Sequence, residues 1–167
     1  LGRSIEPAVW QEFISLSKKM GFKTIVVRDT SCAFNDPLFE GALECPIASI
    51  HLPFRLALYE RAYLNFNKNN GPNVLQWFGN CDSIFFYQMD PEVVAVSPSW
   101  FESRYGMVEG SQFPMTTQNK RLLWEHETIE RLQDILENKP NYISNLNDLH
   151  QPLGQSNIQA TFKAALN

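Results

Sequence analysis

Ile84-Phe85-Phe86-Tyr87-Gln88-Met89, then Asp90-Pro91, then Glu92-Val93-Val94-Ala95-Val96: this stretch decides how the rest of the chain is read. Two apolar, β-rich runs flank an Asp-Pro turn signal, and that pattern predicts an antiparallel hairpin. Working outward, Ser97-Pro98 supplies a capping serine and a first-turn proline for a short helix through Trp100 and Phe101 that stops at Gly106.

Toward the N-terminus, Glu6-Pro7 opens a helix in which Trp10, Phe13, Ile14, Ser17 and Met20 recur at helical spacing, and Gly21 closes it. Lys23 to Arg28 is β-branched and apolar at its centre, a strand buried on both faces. Asp36-Pro37 starts a short helix carrying Leu38, Phe39, Ala42 and Leu43, weakened by Gly41. Pro53 begins a second long helix with Phe54, Leu58, Tyr59, Ala62, Tyr63 and Phe66 on one face, ending near Asn70-Gly71. Val74 to Phe78 reads as one helical turn. The third long helix spans 117–138, with Leu122, His126, Ile129, Leu132 and Leu136 in one stripe and Pro140 as its stop.

These elements predict an α+β or mixed α/β fold, with a small, mainly three-stranded sheet that contains the hairpin and is covered by three long helices. Residues 1–140 form one globular domain on this reading. Residues 141–167 are a polar connector followed by a C-terminal docking helix with a weak stripe of Ile158, Phe162 and Leu166. The expected core contains Trp10, Phe13, Ile25, Val27, Leu58, Tyr63, Phe85, Val94, Ile129 and Leu132.

Length and composition set the class. The chain has 167 residues, 44% of them apolar and 13% aromatic, enough hydrophobic surface to offset the ordering entropy of one domain. Net charge is −4 and no basic run exceeds Lys18-Lys19 or Lys120-Arg121, which disfavours a nucleic-acid backbone as partner. No apolar stretch approaches the ~20 residues of a membrane span. Cys32, Cys45 and Cys81 are odd in number and scattered, so free thiols in a reducing, intracellular compartment are expected. The opening Leu1-Gly2-Arg3-Ser4 reads as a cut from a larger protein.

Short catalytic motifs are missing: there is no phosphate loop, dinucleotide fingerprint, His-Glu-x-x-His or nucleophile elbow. The best catalytic candidate is acidic. Asp29 closes the first strand, and Asp36, Glu40 and Glu44 share one face if residues 37–44 are helical, an arrangement suited to Mg²⁺. The plainer reading is a solvated helix face. Cys32, Cys45, His51 and Cys81 offer zinc-type atoms at unsuitable spacing. His126 sits on an apolar stripe and reads as a core or boundary residue. Glu137-Asn138-Lys139 has the Glu-x-Lys form seen in some nucleases, without an aspartate before it on a strand.

The binding candidate is the set Trp100, Phe101, Arg104 and Tyr105, spanning about 140° of one short helix and built from residue types enriched in interface hot spots. The function this supports is a non-catalytic interaction or regulatory domain without a cofactor. Its partner would be another protein or another domain of the same parent chain. The alternatives are a divergent metal-dependent hydrolase or nuclease using the acidic residues, and a small-molecule sensor with an aromatic-lined pocket.

Overall fold

Pro7 opens helix α1 (Pro7–Lys19), which buries Phe13, Ile14 and Ser17, as the helical spacing predicts. The computed structural model describes residues 5–68, 71–86, 94, 97–113 and 116–143. Strand β1 is Ile25–Val26 alone, and it pairs in parallel with β2 (Leu43–Glu44), Ile25 beside Leu43. The expected helix over 37–44 does not form. Gly41 takes a φ of +80°, a conformation L side chains avoid, and the turn it makes delivers Leu43 and Glu44 to the ladder.

Helices α2 (Pro46–Ile50) and α3 (Leu52–Arg61) follow, the second capped by His51, whose Nδ1 accepts the Phe54 N–H at 3.1 Å. Here the second long helix is corrected: it ends at Arg61. The Asn65 side-chain amide donates to the carbonyls of Tyr59 (2.9 Å) and Asp82 (3.0 Å), which holds the chain as it turns into strand β3 (Asn65–Lys68). Helix α4 (Val74–Phe78), strand β4 (Ser83–Phe86), helix α5 (Pro98–Tyr105), strand β5 (Lys120–Leu123) and helices α6 (Ile129–Glu137) and α7 (Lys139–Tyr142) complete the described order.

Strands β3, β4 and β5 form a second sheet in that order, parallel throughout, with Ile84 aligned between Phe66 and Arg121. This overturns the predicted hairpin and the α+β sheet built on it. β4 is the central strand and is hydrogen-bonded on both edges by parallel partners, so no edge over 83–86 remains for an antiparallel mate. The return arm lies mostly outside the described residues; its Val94 is 80% exposed. The fold among the described residues is mixed α/β, with two small all-parallel sheets. The third long helix is also corrected. Residues 120–123 are strand, and the helix starts only at Ile129, where the Thr128 hydroxyl caps the Arg131 N–H.

Alternation along β4 divides the core. Ile84 and Phe86 face one layer, where they pack with Phe13 of α1, Leu132, Ile135 and Leu136 of α6, and Ile143. Phe85 faces the other with Leu122, Phe101 and Met107, against Trp77, Trp100, Phe113 and Trp124. The larger sheet is thus a middle layer covered on both faces, as parallel sheets require. Of the expected core, Phe13, Phe85 and Leu132 are buried and Trp10, Val27, Leu58 and Ile129 half-buried, whereas Ile25, Tyr63 and Val94 are exposed. Packing continues past residue 140, because Ile143 is buried; the rest of the connector and the docking helix, 144–167, lie outside the described residues.

Candidate functional site

The acidic candidates separate once the 37–44 helix is gone. Asp29 caps a 3-10 turn: its Oδ1 accepts the Ser31 amide (2.9 Å) and hydroxyl (2.8 Å), which hold its carboxyl below the ordinary value. Glu44 is engaged by Arg28 at 3.5 Å and by the Leu38 amide at 2.7 Å. Asp36 is exposed, and its backbone carbonyl takes the Arg28 guanidinium at 2.7 Å. Glu40 is tied by its backbone to Gln11 of α1. Each carboxylate thus has a local task or faces water. Among the described residues no three His, Cys, Asp or Glu side chains gather as a metal site.

The three cysteines are free thiols: Cys32 and Cys45 are half-buried, and Cys81 is buried. His51 is the helix cap described above. His126 lies in the connection between β5 and α6, not on a helical stripe, and is exposed there. Glu137, Asn138 and Lys139 bridge α6 and α7, where Lys139 binds Asp82 and the Tyr63 carbonyl.

The binding candidate stays together. α5 is capped at both ends: Ser97 Oγ accepts the Trp100 N–H at 3.3 Å, and Gly106 closes it with a φ of +64°. Phe101 is buried in one cluster with Phe85 and Leu122 of the sheet, and its ring centre lies 5.4 Å from that of Phe113. Trp100 meets Tyr105 edge-on, 5.4 Å between ring centres. Tyr105, held against Trp100, remains 43% exposed. Arg104 is exposed and makes no hydrogen bond or ion pair among the described residues. Val94 and Val108 are also exposed near the two ends of this helix.

Two buried polar groupings were not legible in the sequence. At the carboxyl end of β3, Lys68 is ion-paired with Glu127 at 3.0 Å, and Trp10 Nε1 donates to the same carboxylate at 3.1 Å. Burial pushes the Glu127 carboxyl up, but hydrogen bonds from backbone, Lys68 and Trp10, together with the Lys68 charge, bring it below the ordinary value. Between α4 and the sheet, Gln76 and Asn67 exchange paired amide bonds at 2.5 Å, and Ser83, at the amino end of β4, donates to Gln76 Oε1 at 2.8 Å. Lys120 lies at the same end, bonded to Thr117 and Asn119 at 3.0 Å, and burial lowers its affinity for a proton. Burial likewise pushes the Cys81 thiol up. A thiol reluctant to ionise is a weak nucleophile at neutral pH, and a carboxylate locked to lysine is a poor proton donor. No sequence spacing marks these groupings, since Lys68 and Glu127 stand 59 residues apart.

No helix among the described residues is long and apolar enough to cross a membrane. Comparison with protein-family models, with characterised proteins and with solved structures finds no match to this chain.

Proposed function

We propose that this chain is a non-catalytic interaction or regulatory domain that presents helix α5 to another protein, or to another domain of a longer intracellular polypeptide. The observation that carries this reading is the pairing of an exposed Arg104, without an intramolecular polar partner among the described residues, with a Tyr105 ring fixed against Trp100 yet 43% exposed. A helix capped at both ends holds these groups with little further ordering to lose on binding. Glu102 lies about 200° around the helix from Arg104, so it does not neutralise that face. The partner that fits is a protein segment offering a carboxylate to Arg104 and an apolar or aromatic side chain to Tyr105.

The test uses fluorescent peptides in which Glu alternates with Phe or Trp, beside charge-reversed peptides with Lys. Anisotropy should show binding of the acidic set alone, weakened about tenfold by Arg104→Ala, with the thermal midpoint nearly unchanged; tenfold is about 1.4 kcal/mol. Equal binding to wild type and Arg104→Ala, or none to wild type, overturns the assignment.

A further inference from the structure

We propose that the chain's own segment 156–166 docks across the uncovered apolar face of the β1–β2 pair. This is independent of the α5 reading. Strand alternation sends Thr24 and Val26 to one side of the pair, where the Thr24 hydroxyl meets Ser17 of α1 at 2.8 Å. The other side carries Ile25, Val27, Leu43 and Cys45. Ile25 and Leu43 are register partners, so their side chains stand together, and they are 44% and 57% exposed. Ile47, at the start of α2, is exposed as well.

Parallel ladders are almost always covered on both faces, usually by helices. Here α1 approaches one face, and no described element buries Ile25 or Leu43 on the other. The missing cover is an apolar stripe at helical spacing, and Ile158, Phe162 and Leu166 supply one at steps of four. The tether permits it. Ile143, the last described residue, is buried in the cluster that Phe22 packs against, and Phe22 stands three residues before Ile25. The intervening stretch 144–157 spans up to ~45–50 Å when extended, more than this distance requires. The segment carries one charge, Lys163, so no charged group need be buried beneath it.

The experiment places the photo-crosslinker p-benzoylphenylalanine at position 162 of the full chain, irradiates it across a hundredfold range of protein concentration and maps adducts by mass spectrometry. Intrachain adducts on 25–27 or 43–47, at a yield independent of concentration and reduced about tenfold by Leu43→Lys, are the expected result. Leu43 is exposed, so that variant should keep the wild-type circular dichroism spectrum. Adducts elsewhere, absent adducts, or interchain dimers whose yield rises with concentration overturn it, the last by assigning the face to a second copy. As a second measurement, Phe162→Asp in the full chain should raise deuterium uptake over 24–27 and 43–45 severalfold; unchanged uptake counts against docking.

Discussion

Replacing Glu127 by alanine should be among the most damaging single substitutions in the chain. Glu127 Oε1 accepts from Lys68 Nζ (3.1 Å), Trp10 Nε1 (3.1 Å) and the Glu6 amide (3.4 Å), and its side chain is 1% exposed. Oε2 lies 3.0 Å from the same lysine nitrogen as an ion pair without hydrogen-bond geometry. Truncation takes the Glu127 counter-charge from the buried Lys68 ammonium and removes an acceptor from the indole, and breaking a buried pair in this way costs about 3–5 kcal/mol. Against a total of about 5–15 kcal/mol, that is a large share. With a urea m-value near 2 kcal/mol/M, the midpoint should fall by about 2 M in Trp fluorescence melts. Glu127→Gln keeps the volume and an oxygen acceptor for Trp10 and Lys68 but removes the counter-charge, and should cost about 2–3 kcal/mol. The pH dependence has a definite sign. A carboxyl whose folded value is depressed stabilises above its unfolded pKa of about 4.3 and loses that contribution as pH falls through the folded value. Wild type should therefore lose stability below pH ~4 more steeply than Glu127→Gln. A loss under about 1 kcal/mol for Glu127→Ala, or identical acid limbs for wild type and Glu127→Gln, would refute the reasoning, since the lower bound for a broken buried pair is about 3 kcal/mol.

Phe13→Ala should cost about 3–5 kcal/mol in the same melts, as expected for truncating a side chain only 3% exposed in the layer between α1, the sheet and α6. Gln76→Leu should cost about 2–4 kcal/mol, because Asn67 and Ser83 lose a completely buried partner; a neutral result would show that the site rewets or repacks. Thiol titration without reductant should count three free groups after denaturation. In the folded chain Cys81 should react last, because it is buried and its thiolate is disfavoured, and an early Cys81 would contradict its placement.

Helix α1 was legible from its sequence because every local signal agrees: proline at the first position, apolar residues at helical steps and lysines in the last turn. α5 was legible for the same reason, through Ser97, Pro98 and Gly106. The strands β3 and β5 were not. Asn65-Phe66-Asn67-Lys68 and Lys120-Arg121-Leu122-Leu123 are short and polar, yet Asn65, Lys68 and Lys120 are buried, Asn65 on the carbonyls of Tyr59 and Asp82, Lys68 on Glu127, and Lys120 on Thr117 and Asn119. Propensity reads such residues as exposed, and chance helical spacing through Tyr63 and Phe66, or Leu122 and His126, carried a helix across each. The hairpin failed for a related reason: a continuous apolar run is equally the mark of a central parallel strand buried on both faces. Of the candidate sites, α5 survives as a unit because its residues are local. The acidic residues depended on a helix that Gly41 turns aside. Lys68–Glu127 had no local signature to find.

The core between α1, the sheet and α6 draws on both ends of the described chain, and this constrains the order in which the protein can be made. Phe13 emerges early in synthesis, Ile84 and Phe86 midway, and Leu132 to Ile143 last. Contacts of such long sequence separation form slowly. Until α6 is released, α1 and the central strand have no second layer and must keep their apolar faces in water or on a chaperone. A chain stopped before Ile129 would hold α1 without Leu132, Ile135, Leu136 and Ile143, which pack with Phe13, and should be degraded rather than accumulate as a folded half.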